Sequence, residues 1–91
     1  MDSKLLMEML LEAGYPKEDI HHHESDLYVY VTPLTTRILE AWCKENGWDT
    51  KLVKEQGYLF SKFTDNTTGR KMYDIAFQYI PWWEERCGAS L

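Results

Sequence analysis

The chain has 91 residues, of which 44% are hydrophobic and 27% are charged. This balance is typical of a small globular domain and excludes disorder, collagen-like structure and low complexity. No apolar run reaches the roughly 20 residues that cross a bilayer, and the start MDSKLLMEMLLEAG lacks the basic flank of a signal peptide. We therefore expect residues 1–91 to form a single cytoplasmic domain.

The net charge of −5 argues against a protein that binds nucleic-acid backbones, because such proteins carry a basic stripe. Residues 1–30 hold seven acidic and two basic residues, so this first third carries the whole excess, and it also contains all three histidines. A solvated acidic face and a docking surface for a basic protein partner both explain this distribution.

The first predicted element is a helix over 3–13, where Leu6, Met9 and Leu10 recur at helical spacing. Gly14 suits a left-handed C-cap, and Pro16 prevents the helix from resuming. The run LYVYV (27–31) then predicts a strand because tyrosine and valine fit a pleated sheet.

A second helix is predicted to begin at Pro33 with Thr32 as its N-cap and to end at Asn46-Gly47. Four residues line its apolar face: Leu34, Ile38, Leu39 and Trp42. Trp42 and Cys43 are expected in the core. The spacing of Cys43 and Cys87 fits neither a disulfide scaffold nor a CxxC motif.

From Trp48 onward the hydrophobic period changes to two, which predicts an antiparallel meander over about 50–55, 58–64 and 70–80. If Thr64 pairs with Arg70, one sheet face packs on the helices with Leu59, Phe63, Tyr73, Ile75, Phe77 and Tyr79. The other face then carries Tyr58, Phe60, Lys62, Met72, Asp74 and Ala76. The order α-β-α-β-β-β predicts an α+β two-layer sandwich, with both helices on one face of a mainly antiparallel sheet.

The run His21-His22-His23, followed by Glu24, is a candidate metal site for zinc, nickel or copper. In an extended segment, His21 and His23 point one way, whereas His22, Glu24 and Asp26 point the other. A solvent-exposed polar lead-in to the strand is the simpler interpretation. Histidines that titrate near neutral pH beside acidic residues would also make partner binding depend on pH.

Aromatic residues near the end of the chain are candidates for protein binding, because aromatic and arginine side chains are the usual anchors of interfaces. The predicted contact residues are Tyr58, Phe60, Trp82, Trp83 and Arg86. Local packing is the alternative interpretation. Stacking on single-stranded nucleic acid would use similar side chains, but the chain lacks the basic excess that goes with it.

Motifs of enzyme chemistry are missing: the chain has no GxGxxG, no GxxxxGK[ST] and no GxSxG. We therefore predict no catalytic residues, no enzymatic activity and no cofactor other than the metal considered above. The favoured function is a non-catalytic protein-interaction module, with a metal-binding or pH-responsive protein as the alternative. An uncovered aromatic sheet face would also be buried by forming a homodimer.

The runs HESDLYVYVTP and MYDIAFQYIPWWE resemble small uncharacterised proteins of bacterial phages and mobile elements. The resemblance implies a bacterial cytoplasmic accessory protein that binds and modulates a host protein. It implies no catalytic or binding residues.

Overall fold

A computed structural model describes residues 2–51, 60–83 and 85. The helices that lie wholly within these residues are α1 (Asp2–Glu12), α2 (Pro33–Glu45) and α3 (Ile80–Trp83). The strands are β1 (His21–His23), β2 (Asp26–Tyr30), β3 (Phe60–Thr64) and β4 (Lys71–Ala76). Single 3₁₀ turns lie at Lys17–Asp19 and Phe77–Tyr79. The predicted α+β class is confirmed.

The four strands form one antiparallel sheet in the order β1-β2-β4-β3. Helices α1 and α2 pack against the same face of this sheet, so the molecule has two layers with the core between them. The fully buried side chains of this core include Leu6 and Leu10 of α1, Trp42 and Cys43 of α2, and Leu27, Val29 and Ile75 of the sheet.

The start of α2 follows the predicted cap chemistry. Thr32 accepts a hydrogen bond from the Thr35 backbone N–H at 3.0 Å, and the Thr35 hydroxyl oxygen accepts one from the Thr32 N–H at 3.0 Å. Pro33 occupies the first helical position, where its missing donor costs nothing. The ends of both long helices are also confirmed, with Gly14 at φ 89° and Gly47 at φ 74° in the left-handed region.

The histidine run is a strand rather than a lead-in, and this adds an element to the predicted order. β1 and β2 form a hairpin in which His23 pairs with Asp26 across the turn Glu24-Ser25. Glu24 has φ 54°, because tight hairpin turns that match the twist of the strands need a left-handed residue. The hairpin reverses the chain, so Asp26 lies on the face of His21 and His23, not on the face of His22 as predicted.

The predicted register between β3 and β4 is wrong by one residue. Thr64 pairs with Lys71, and the Asp65 N–H donates to the Arg70 carbonyl at 2.8 Å. The connection is therefore the four residues 66–69, closed by a hydrogen bond from the Gly69 N–H to the Asp65 carbonyl. A shift of one residue moves every side chain of a strand to the opposite face.

Two segments of the predicted meander also differ. The last strand ends at Ala76, and the chain then turns through Phe77–Tyr79 into α3, which buries Ile80 in the core. Pro81 lies in the first turn of that helix, where proline is tolerated. Residues 50–51 are helical, so the predicted strand over 50–55 is wrong at its start. The remainder of that segment lies outside the described residues.

Candidate functional site

The face of the sheet opposite α1 and α2 is the candidate site, and we call it the open face. Strand pairing places ten residues on it: His21, His23, Asp26, Tyr28, Tyr30, Ser61, Phe63, Met72, Asp74 and Ala76. Neither long helix packs on this face. It therefore combines aromatic, acidic and imidazole side chains on a rigid four-stranded support.

Two aromatic rings span the open face. Tyr28 of β2 and Phe63 of β3 lie on either side of β4, and their ring centroids are 5.0 Å apart in an edge-to-face arrangement. The rings therefore meet above β4 and roof its side chains. This roof explains why Met72 is almost fully buried although it faces away from the core. Phe63 itself is 36% exposed.

Asp74 lies opposite Tyr28 on one side and Ser61 on the other, in the middle of the open face. The pKa of Asp74 is raised to about 6, mainly by burial and then by hydrogen bonding and charge repulsion with the neighbouring Asp26 carboxyl. His23 acts in the opposite direction. Within the described part of the chain, no hydrogen-bond donor reaches the buried Oδ1 of Asp74. The carboxylate is therefore poorly compensated at neutral pH.

The charged groups around Tyr28 are also negative. Burial raises the pKa of the Tyr28 hydroxyl, and the carboxylates of Asp74, Asp26 and Glu24 raise it further, in that order. These three acidic groups lie on three different parts of the chain, namely β4, β2 and the hairpin turn. The fold thus places three carboxylates around one aromatic ring. Perturbed pKa values of this kind cluster at functional sites.

A cation already occupies the neighbouring part of the open face. The guanidinium carbon of Arg70 lies 3.6 Å from the centroid of the Tyr30 ring. Tyr30 is buried under this contact. The same face thus contains one aromatic ring stacked by an arginine of the chain itself, beside an aromatic and acidic area around Tyr28 and Asp74.

The histidines lie along the edge of the open face. The alternation predicted within the run is confirmed, because His21 and His23 share a face that His22 does not. His23 lies with its ring centroid 5.8 Å from that of Tyr28, and His21 lies 6.3 Å from Tyr30. Among the residues that the structure describes, no group of three or more His, Cys, Asp and Glu side chains is arranged to hold a metal ion.

Among the predicted contact residues at the end of the chain, Phe60 is the one whose side chain the structure describes. Phe60 lies on the helix-facing side of β3, with its ring 6.1 Å from Trp42, so its predicted face is corrected. Trp82 and Trp83 belong to α3, and only their backbone is described. Tyr58 and Arg86 lie outside the described residues.

A separate pocket of about 350 Å³ lies between α2 and the strands β3 and β4. Its polar lining includes Thr36 and Tyr73, whose hydroxyl groups are 2.8 Å apart, and Lys62, whose ammonium lies 5.5 Å from the Tyr73 ring centroid. This pocket lies on the helix-facing side of the sheet and is distinct from the open face.

Sequence reasoning missed Asp74 and Phe63 as members of one site. The length of the turn after β3 decides where Phe63 lies. A four-residue connection places Phe63 on the face of Asp74, whereas the five-residue connection predicted from the sequence places it in the core. No protein-family model, curated protein or solved structure matches this chain. None of the described helices is long and apolar enough to cross a membrane.

Proposed function

We propose that this chain is a non-catalytic protein-interaction module of the cytoplasm that binds its partner through the open face. The observation that carries the proposal is the Tyr28–Phe63 pair, which lies uncovered by α1 and α2 on a rigid sheet. Aromatic side chains on a rigid support supply large contact area at low entropic cost, and they dominate the energetics of interfaces. Modulation of a host protein by a phage or mobile-element accessory protein, as the resemblance implies, is part of the same proposal.

The proposed surface replaces part of the set expected from the sequence. Phe63 takes the place of Phe60, because the observed register exposes the former and turns the latter toward the core. Trp82 and Trp83 remain proposed contributors through α3.

The charge of the open face favours a different protein over a second copy of the chain. A symmetric dimer through this face would bring Asp26 and Asp74 close to their own copies, and like charges across an interface are costly. A basic partner would be attracted instead, which agrees with the acidic first third of the sequence. Light scattering on the purified chain is therefore expected to show a monomer. If the chain forms a dimer and Phe63→Ser dissociates it, the occupant of the open face is a second copy of the chain and not a different protein.

The experiment that tests the function compares three proteins in capture from a lysate of the source organism, read by mass spectrometry. Phe63→Ser removes the exposed ring of the open face. Leu11→Ser removes a side chain of similar exposure, 42%, from α1 and serves as the matched control. A stoichiometric partner is expected with the wild type and Leu11→Ser and is expected to be lost with Phe63→Ser.

Two other outcomes would contradict the proposed surface. Equal capture by all three proteins places the contact elsewhere, and loss in both variants indicates a general effect of the substitutions. Circular dichroism of each variant shows that the comparison is made between folded proteins.

Metal binding through the histidine run is the alternative proposal, and one observation favours it. His21 and His23 lie on the same face of β1, two positions apart, which is a spacing that can supply two imidazole ligands. Zinc or nickel retained at stoichiometric amounts by an untagged preparation, and lost in the His21→Ala, His23→Ala variant, would support it. Partner capture that disappears with a chelator would link the metal to the interaction.

A further inference from the structure

We propose that the partner is a basic protein segment and that the open face takes one of its arginine side chains at the junction of Asp26, Tyr28 and Asp74. This inference rests on the proposed function and names the chemistry of the partner. Three features of the open face carry it: two carboxylates that no arginine or lysine of the described residues pairs with, an aromatic ring beside them, and an internal example of an arginine stacked on a tyrosine.

The carboxylates supply the charge. Asp26 and Asp74 lie diagonally across the pair β2 and β4, with Asp26 opposite Ala76 and Asp74 opposite Tyr28. No arginine or lysine of the described residues forms an ion pair with either of them. A guanidinium from a partner would separate the two negative charges and would donate to both carboxylates, because its donors are fixed in a planar fork.

The aromatic ring supplies the second contact. Tyr28 is partly exposed and lies directly opposite Asp74, so a planar cation that reaches the carboxylates also contacts this ring. Arginine stacks on aromatic faces more readily than lysine, since its charge is delocalised and weakly hydrated. Phe63 then offers apolar surface to the residue beside the arginine.

The contact between Arg70 and Tyr30 is the internal example. It shows that an arginine fits on a tyrosine ring of this same face at a distance of 3.6 Å. Tyr28 is the next tyrosine on the same side of β2, two residues away, and it has the carboxylates that Tyr30 lacks. The groups that face the proposed arginine site are Asp26 and Tyr28 of β2, Asp74 of β4, His21 and His23 of β1 and Glu24 of the turn.

The test uses a short acetylated peptide that contains arginine next to leucine and a matched peptide with citrulline in place of arginine. Citrulline keeps the shape and removes the charge. Binding to the full chain is followed by the NMR shifts of the Tyr28, Phe63 and Asp74 amide signals. We expect the arginine peptide to bind about tenfold more tightly, as charge-assisted hydrogen bonds predict, and these signals to move most.

Variants locate the preference. Asp74→Asn is expected to abolish the preference for arginine, whereas Glu12→Gln, which removes an exposed carboxylate of α1, is expected to preserve it. Since the Asp74 carboxylate is protonated below its raised pKa of about 6, the preference is also expected to weaken as the pH is lowered through that value. The His21→Ala, His23→Ala variant is expected to keep this pH dependence, which assigns it to Asp74.

The outcomes distinguish this inference from the proposed function. Equal affinity for both peptides at the open face overturns the arginine site and leaves the interaction surface intact. A preference that survives in Asp74→Asn, or that is lost in Glu12→Gln, shows attraction by net charge alone and also overturns the inference. If neither peptide moves the open-face signals, the arginine site is excluded, and the capture experiment with Phe63→Ser decides the proposed function by itself.

Discussion

The hydroxyl oxygen of Tyr15 lies 3.0 Å from the backbone nitrogen of Tyr30 and accepts its hydrogen bond, and the same hydroxyl donates to the Asp19 carbonyl at 3.0 Å. β1 begins two residues after Asp19, so no β1 backbone carbonyl lies opposite Tyr30. The Tyr15 hydroxyl accepts the Tyr30 N–H hydrogen bond in its place. A tyrosine that follows α1 thus ties the loop before the histidine hairpin to a central strand of the sheet.

Removal of this hydroxyl is expected to destabilise the fold. Tyr15→Phe leaves the buried Tyr30 N–H and the Asp19 carbonyl without their shared partner, and we expect the free energy of unfolding to fall by about 1–2 kcal/mol. Urea unfolding measures this difference. Tyr28→Phe removes a hydroxyl that forms no hydrogen bond within the described part of the chain, so it serves as the control and is expected to change stability little. Equal effects of the two variants would show that the Tyr15 bridge contributes nothing specific.

Protonation of Asp74 is expected to stabilise the fold. Its pKa is raised to about 6 in the folded chain, whereas an aspartate of an unfolded chain titrates near 4. The folded chain therefore binds more protons between about pH 4 and pH 6, and the free energy of unfolding falls as the pH rises through this window. We expect a loss of about 1 kcal/mol, reduced by the solvent around this partly exposed carboxyl.

The variant Asp74→Asn assigns this pH dependence. It is expected to increase stability at neutral pH and to flatten the curve between about pH 4 and pH 7, as measured by urea unfolding at several pH values. Glu12→Gln is the control and is expected to retain the wild-type slope. A slope that persists in Asp74→Asn would place the responsible group elsewhere.

Glu24 in the hairpin turn is strained, because its φ of 54° is unfavourable for a residue with a Cβ atom. Glu24→Gly is expected to raise the free energy of unfolding by about 1 kcal/mol. Glu24→Gln removes the same charge without relieving the backbone, so it separates strain from electrostatics. If both variants stabilise equally, the repulsion between Glu24 and the acidic groups of the open face is the cause.

Among the described residues, Thr35 is the polar residue that is fully buried, and its hydroxyl donates to the Tyr30 carbonyl at 2.6 Å. It also completes the capping box at the start of α2. Thr35→Val is expected to lower the free energy of unfolding by about 2 kcal/mol, since the cap and a buried hydrogen bond are lost together. Thr64→Val, at an exposed position on the edge strand β3, is expected to have little effect in the same thermal or chemical unfolding measurement.

Phe60 and Phe63 test the register of β3 directly. Phe60→Ala is expected to cost about 2 kcal/mol because the ring packs beside Trp42 and Tyr73. Phe63→Ala is expected to cost less than about 1 kcal/mol and to lower the pKa of Asp74, since it opens the roof that desolvates this carboxyl. The Asp74 side-chain NMR signal reports the second effect. The reverse order of stabilities would support the register expected from the sequence.

The predictable part of this fold was the part fixed by local chemistry. Thr32, Pro33, Asn46 and Gly47 each satisfy a backbone requirement within a few residues, so the sequence places both ends of α2 correctly. The same holds for the end of α1 at Gly14. The helical face of Trp42 follows from spacing alone, and its burial is confirmed.

The candidate site was harder to predict because it depends on distant pairing. Asp74 and Tyr28 are neighbours only through the register of β2 with β4, and Phe63 joins them only through the turn after β3. A turn longer by a single residue would place Phe63 in the core and Phe60 on the surface. The sequence does not predict a strand at the histidine run, because histidine has no marked β propensity and the turn residue Glu24 is not a glycine.

The sheet order β1-β2-β4-β3 places β2 and β4 together at the centre, although all of α2 and β3 separate them along the chain. In a fragment that stops before Lys71, β1 and β2 are the only two of the four strands that can still pair. An isolated hairpin of this kind is not stable in water. Folding must close this long loop before the central contacts form, which makes the domain cooperative and comparatively slow to fold. During synthesis, the open face therefore forms only after β4 has been made, and no shorter nascent chain presents it.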